Sequence, residues 1–359
     1  MVLPPRCWAS EDCRAAAPGA STGVTILSMA EAPTRLLITS EDLDALAPEW
    51  AALHAALPGR VPFTHPEWHR AWLRHLGKDA MPVFLSLREG EALVGVMALD
   101  MERDVARQLG DPNVCDYAGL LSLPGREDAC AEGVLEWLME DYTFALELWG
   151  VAADEPQRTA FEGAAAHFGW SLAEAGEAVC PVVSLPADWE TYLASLAKHD
   201  RHELRRKLRH LAGAGTVEFD SVTAPDQVGA GMDAFFGLMR MSRDDKDEFL
   251  TPAMEAFFRD VAVSFAAVGM VRLSSLRLDG QTVAMLFGFE NDTTEYLYNS
   301  GYDPAYAHLA VGLLSKAHAV EAAISRGRQL FDFLRGEEEY KRHLGGVPRQ
   351  LVKLRLQQG

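Results

Sequence analysis

The sequence predicts a mixed α/β (α+β) protein built from two like halves, and three observations carry that expectation. Short runs with alternating apolar residues take turns with helical patterns from Thr34 to the end of the chain. Two hairpin patterns, LREGEALVGVMAL and LRLDGQTVAMLFGF, align with each other. Around each hairpin the same order of elements recurs, which favours duplication of one fold unit over an array of short repeats.

Taken in order, RLLITS reads as a strand, SEDLDALAPEWAALHAA as a capped helix, and HPEWHRAWLRHLG as a helix whose Trp68 and Trp72 form a core face. PVFLSLREGEALVGVMALD turns at Glu89 and Gly90, FALELWG is a further strand, and a helix follows over Pro156 to His167. Near Leu185 to Trp189 the run VVSLPADWE passes through Pro186 into a helix start, so the expected halves are residues 34–185 and 186–359. The second half opens with the arginine-rich helix KHDRHELRRKLRHLA, then TVEFDSVT as a strand, helices over Asp226 to Met241 and Thr251 to Val268, and a hairpin turning at Asp279 and Gly280. TEYLYNS alternates as a strand, an alanine-rich helix opens in the segment Ala307 to Gly312, and QLFDFLRG, EEEYKRHLG and RQLVKLRLQ read as strand, short helix and closing strand.

The chain has 359 residues, 48% of them apolar and 24% charged, enough for two cores of ordinary size. A net charge of −19 disfavours non-specific attraction to nucleic acid or to anionic membrane. No apolar run is long enough to cross a bilayer. The five cysteines, Cys7, Cys13, Cys115, Cys130 and Cys180, are scattered, with neither CxxC pairs nor a Cys/His ligand spacing, so no metal site is expected. An odd cysteine count without a secretory signal fits a reducing cytoplasm. Residues 1–33 lack periodicity and the apolar core of a signal peptide, and are expected to be a disordered leader or a mis-assigned start, with Met29 as an alternative first residue.

Chemistry-bearing positions cluster late in the chain. A helix that begins beside a strand end offers free N–H groups and the positive end of its dipole, which suits a diphosphate, and Leu309, Ala310, Val311 and Gly312 occupy that position. Asp332 and Arg335 flank the apolar strand FDFL, as a base and a substrate anchor or as a simple ion pair. On the basic helix, Lys198, Arg201 and Arg205 share a face that would clamp an anion or pair with the acidic surface of the same protein. No histidine pair has metal-site spacing.

The run from Thr294 to Gly345, with DFLRG and YKRHLG near its end, resembles the second half of a GNAT N-acyltransferase core. The chain as a whole is similar to the CelD-like branch of that superfamily, usually two fused GNAT-like units, and to the related Fem-type aminoacyltransferases. The resemblance implies two tandem domains, each a mixed, mostly antiparallel sheet flanked by helices, with coenzyme A held where one strand splays from its neighbour. It implies acyl-coenzyme A as co-substrate and an amine acceptor seated between the halves. It further implies Tyr340 as general acid, Lys341 as a phosphate or carbonyl contact, Asn299 beside the pantetheine arm where Gly301 permits close approach, and Asp116 and Tyr117 as acceptor contacts. The family's diphosphate loop commonly carries Arg or Gln followed by a glycine pair, whereas this chain has AHLAVG.

The expectation is therefore a cytoplasmic N-acyltransferase acting on an amine of a small molecule, sugar or cell-envelope precursor, by direct attack without a covalent enzyme intermediate. Two alternatives stay open: a Fem-type transferase that uses aminoacyl-tRNA, and a non-catalytic GNAT-like module in polysaccharide biosynthesis.

Overall fold

The computed structural model describes residues 35–140, 143–242 and 244–359. The expected leader, Met29, Cys7 and Cys13 lie outside them. From the N-terminal side run β1 (Leu37–Glu41), α1 (Leu43–Ala56), a 3-10 turn (Pro62–Thr64), α2 (Pro66–His75), β2 (Pro82–Glu89), β3 (Ala92–Glu102), β4 (Val105–Gln108), β5 (Leu121–Ser122), α3 (Glu127–Glu140), β6 (Ala145–Ala152), α4 (Pro156–Phe168) and β7 (Trp170–Ser184). The second series is α5 (Trp189–Ser195), α6 (Lys198–Ala212), β8 (Val217–Val222), α7 (Pro225–Ser242), α8 (Asp244–Phe249), α9 (Pro252–Ala267), β9 (Val271–Leu278) and β10 (Gln281–Glu290). It continues with β11 (Thr294–Tyr302), a 3-10 turn (Pro304–Leu309), α10 (Val311–Ser325), β12 (Leu330–Asp332), α11 (Glu339–His343) and β13 (Val347–Gln358).

Local chemistry sets many of these boundaries. Asp42 accepts from the amides of Asp44 and Ala45 and so caps α1, while Thr251 does the same for α9 through the amide of Met254. Pro66 and Pro252 occupy first helical positions, where a missing N–H costs nothing. Both hairpins turn where their glycines, Gly90 and Gly280, take positive φ.

Among the described residues the strands form one sheet in the order β1-β2-β3-β4-β6-β13-β7-β12-β11-β10-β9-β8, with β5 paired to β3. All pairings are antiparallel except two, β4 with β6 and β11 with β12, one in each series. The two series exchange their last strands: β7 pairs with β12, β13 pairs with β6, and β7 and β13 pair with each other from Val347↔Val182 to Gln358↔Trp170. Each half thus completes the other, and residues 35–359 form a single compact unit.

Three apolar clusters fill the layers. Trp50, Trp68 and Phe63 from the first series join Phe257, Phe265 and Phe289 from the second in a shared core under α1, α2, α7 and α9. The expected Trp68–Trp72 face is part of it, the two residues being 1% and 7% exposed. The other two clusters lie under α3 and α4, and under α5, α6 and α10.

The shared core also encloses His54, His65 and His69. His54 and His65 meet edge to face, and His69 packs against Trp50. Burial pushes all three down, to about 4, 3 and 3 respectively, and Nδ1 of His69 has no hydrogen-bond partner. Because each folded pKa lies below the unfolded value near 6.5, the stability these neutral rings allow is complete above that value and is lost as pH falls toward 3. At pH 5 the loss is about 2 kcal/mol for one such histidine, 1.5 pH units at 1.36 kcal/mol each. Part-buried Asp116 and buried Asp332 and Glu295, raised to about 6, 6 and 7, gain stability over the same interval, so the effect is read as a difference between variants. A His69→Leu variant is expected to gain about 2 kcal/mol on the native protein between pH 7.5 and pH 5 in urea unfolding. A difference that does not move with pH contradicts this account.

Candidate functional site

The parallel pairing of β11 with β12 covers only Thr294↔Leu330, Glu295↔Phe331 and Tyr296↔Asp332. Beyond it β11 stays with β10 as far as Tyr302↔Ala284, while the chain after Asp332 follows β7, through Phe333 N–H to the Pro181 carbonyl and Gly336 N–H to the Val179 carbonyl. Leu334 at φ 55° and Gly336 at φ 123° make that turn. The strands part, and a polar trough of about 620 Å³ opens between Leu297–Ser300 and Phe333–Arg335, closed by Asn113, Asp116, Tyr340 and Lys341.

The trough runs on into a cavity of about 340 Å³ at the start of α10, the two sharing Lys246, Ser300, Glu338 and Tyr340. Ala310 takes the left-handed conformation, and α10 begins with no side-chain cap and no acidic residue in its first turn. Its positive end is left to solvent or ligand. The corresponding helix of the first series, α3, has Glu127 and Asp128 in its first turn, and Glu127 Oε2 accepts from the Gly125 amide at 2.7 Å. That helix start is already supplied with negative charge.

Ala310, Gly312, Asn299, Tyr340, Lys341, Asp116 and Arg335, all singled out from the sequence, line this continuous space. Arg335 donates through Nη1 to Glu177 at 2.9 Å, and its Nε stands 3.4 Å from Asp116 Oδ1. Two carboxylates therefore share one guanidinium, and burial holds Asp116 up at about 6. Tyr340 has its ring edge to Phe333 and its hydroxyl pushed well above the ordinary tyrosine value by burial.

Several expectations are corrected. Asp332 does not face the trough with Tyr340; it lines a separate crevice of about 960 Å³ together with Tyr117. Its carboxylate accepts from the Tyr117 hydroxyl at 2.7 Å and from the Leu334 amide at 2.7 Å, and it is raised to about 6 by burial. Asp332 and Arg335 do not form the expected pair. Lys341, 2% exposed, gives its protons to the carbonyls of Leu334, Arg335 and Gly336 and lies 2.9 Å from Glu338, so it ties the loop that parts the strands. Arg205 does not line the trough; it is paired with Glu190 on an exposed face, as Arg206 is with Glu203. Gly301 admits not a ligand but helix α7: a Cβ there would lie 2.3 Å from the Met239 amide nitrogen. Of the 309–312 segment, Ala310 and Gly312 line the cavity, whereas Leu309 and Val311, 5% and 0% exposed, pack into the core and do not.

Two lysines escaped the sequence reading. Lys246 donates to Asn299 Oδ1 at 2.9 Å and to the Ser300 carbonyl. Lys316, on α10, lines the smaller cavity with its ammonium 4.9 Å over the Tyr340 ring. A lone lysine on an alanine-rich helix with a largely apolar inner face was the available signal. Cys115, Cys130 and Cys180 are buried, and burial raises each thiol, Cys130 to about 12, which leaves no thiolate among the described residues to act as nucleophile. Among the described residues no helix is long and apolar enough to cross a membrane.

Residues 198–342 match the family model described as an acetyltransferase (GNAT) domain. No curated protein matches the chain in sequence. In fold the chain is similar to FemX, at 11% identity and a TM-score of 0.63, covering 88% of this chain and 96% of that one. It is also similar to the C-terminal domain of an Agrobacterium fabrum protein named as a lysylphosphatidylglycerol synthetase (11% identity, 89% and 93% covered, TM-score 0.59). A Bacteroides thetaiotaomicron protein of unknown function is a third likeness (12% identity, 90% and 100% covered, TM-score 0.55). The family match falls on the part of the chain that holds the parted strands, and the likeness to these solved structures, which extends along nearly the whole chain, is one of fold.

Proposed function

We propose that the protein is an N-acyltransferase that moves an acyl group from acyl-coenzyme A to an amine, with the donor bound by the second of two tandem units, residues 186–359. The observation that carries this reading is the parting of β11 from β12 beside a helix start that carries no acidic residue in its first turn. A diphosphate would sit at the backbone of residues 309–312, and the pantetheine arm would run past Asn299 toward Tyr340.

In the reaction the amine nitrogen attacks the thioester carbon, the C–N bond forms, and the C–S bond breaks as the tetrahedral intermediate collapses. Asp116 takes the proton from the attacking nitrogen, and Tyr340 returns one to the leaving sulfur. Arg335 positions Asp116. Asp332 and Tyr117 together fix the wall of the larger crevice, which would receive the body of the acceptor between the halves.

With Asp116 as base, kcat/KM is expected to fall as pH drops through about 6, because protonation removes the lone pair that accepts the proton. An Asp116→Asn variant should lose that limb along with roughly 100-fold in rate. A native profile flat from pH 7 to pH 5 contradicts the assignment. The function itself is tested by incubating the full chain with acetyl-coenzyme A and a panel of primary amines and amino sugars, and following release of the free thiol. Amine-dependent release supports the reading; hydrolysis alone, or none, overturns it.

The fold likeness to FemX favours a second reading, transfer from aminoacyl-tRNA as the Fem resemblance implies. Against it, the longest helix among the described residues is α7, with 18 residues, too short for the long helical arm of tRNA-using relatives.

A further inference from the structure

Lys316 is 6% exposed, yet it stands on the inner face of α10 between Ser315 and Ala317. Its ammonium donates to the Gly312 carbonyl at 2.7 Å and lies over the Tyr340 ring. Among the described residues no carboxylate pairs with it. The charged groups that act on it are Lys246 from α8, and Glu338 and Lys341 around α11, with Glu338 held 2.9 Å from Lys341. A cation in such a place is costly unless an anion joins it. The cavity it lines, about 340 Å³ and shared with Lys246, Ala310 and Gly312, has room for that anion.

We propose that Lys316 is the counter-charge for the diphosphate of the donor, standing in for the arginine or glutamine that the AHLAVG loop lacks, and that it takes up a proton as the diphosphate enters. This rests on the proposed function for the identity of the donor. Burial and the neighbouring lysines hold the free amine down at about 7, so at pH 8 it is largely neutral in the empty protein. An adjacent diphosphate favours the charged form and draws the proton from buffer.

The test is calorimetric titration of the full chain with acetyl-coenzyme A, and separately with inorganic pyrophosphate, at pH 8 in two buffers of different ionisation enthalpy. The native protein should take up most of one proton per ligand. Lys316→Met should weaken binding by about tenfold or more and abolish the uptake. Lys316→Arg, always charged, should retain affinity and also show no uptake, an outcome that a merely structural lysine would not give. Binding without proton uptake, or unchanged affinity in a folded Lys316→Met variant, overturns the proposal. If pyrophosphate binds with uptake while acetyl-coenzyme A does not bind, the anion site stands and the acyl-coenzyme A reading falls; acetyl-coenzyme A that binds without uptake spares that reading and removes the role of Lys316.

Discussion

A Tyr340→Phe variant is expected to lose about 100-fold in kcat while keeping its affinity for acetyl-coenzyme A and its melting temperature. The phenol ring lines both the trough and the smaller cavity, so its packing against Phe333 and under Lys316 survives the change and only the hydroxyl is lost. Burial keeps that hydroxyl protonated, the form a general acid needs when thiolate departs. A drop in kcat and kcat/KM together identifies an interaction made in the transition state, whereas a rise in KM alone would assign Tyr340 to binding. An unchanged kcat removes it from the chemistry.

Gly301→Ala is expected to destabilise the protein by about 3 kcal/mol or more. The added Cβ would meet the Met239 amide nitrogen at 2.3 Å and the Leu238 carbonyl carbon at 2.5 Å, both backbone atoms of α7, so relief requires the helix to move off β11. Gly163→Ala serves as the control: nothing lies within 4 Å of its Cβ position on α4, and alanine there should stabilise by about 0.5–1 kcal/mol. Urea unfolding of the two variants reads both effects, and a Gly301→Ala protein as stable as the native one contradicts the close approach. Gly312 is similarly confined, since a Cβ there would press on the Tyr302 ring at 2.9 Å. An acidic substitution at Gly312 therefore disturbs packing as well as charge, and Lys316 is the cleaner probe of the donor site.

What the sequence disclosed was local. The turns at Gly90 and Gly280, the capped start of α1 and the Trp68–Trp72 face follow from residues within a few positions of one another, and all are present. The strand exchange was not legible, because pairs such as Leu351↔Ala152 and Val347↔Val182 join segments far apart in the chain and leave no periodic trace in either. For the same reason Tyr117 and Asp332 were each noticed without their hydrogen bond, which spans 215 positions. QLFDFLRG reads as a strand throughout, but β12 ends at Asp332, whose side chain captures the Leu334 amide and turns the backbone away. Lys341 stood out in the sequence as a ligand contact, yet its ammonium holds the chain's own backbone. A lysine bonded to three successive carbonyls is a feature of tertiary structure, and the local pattern EEEYKRH shows only its carboxylate neighbour.

The central claim is that the parted strands and the start of α10 form a donor site, and isothermal titration of acetyl-coenzyme A into the full chain tests it most directly. The account predicts saturable one-to-one binding that free coenzyme A competes away and that weakens in Lys316→Met. Absence of binding to a folded native protein would contradict it and return the scaffold to the aminoacyl-tRNA or non-catalytic readings.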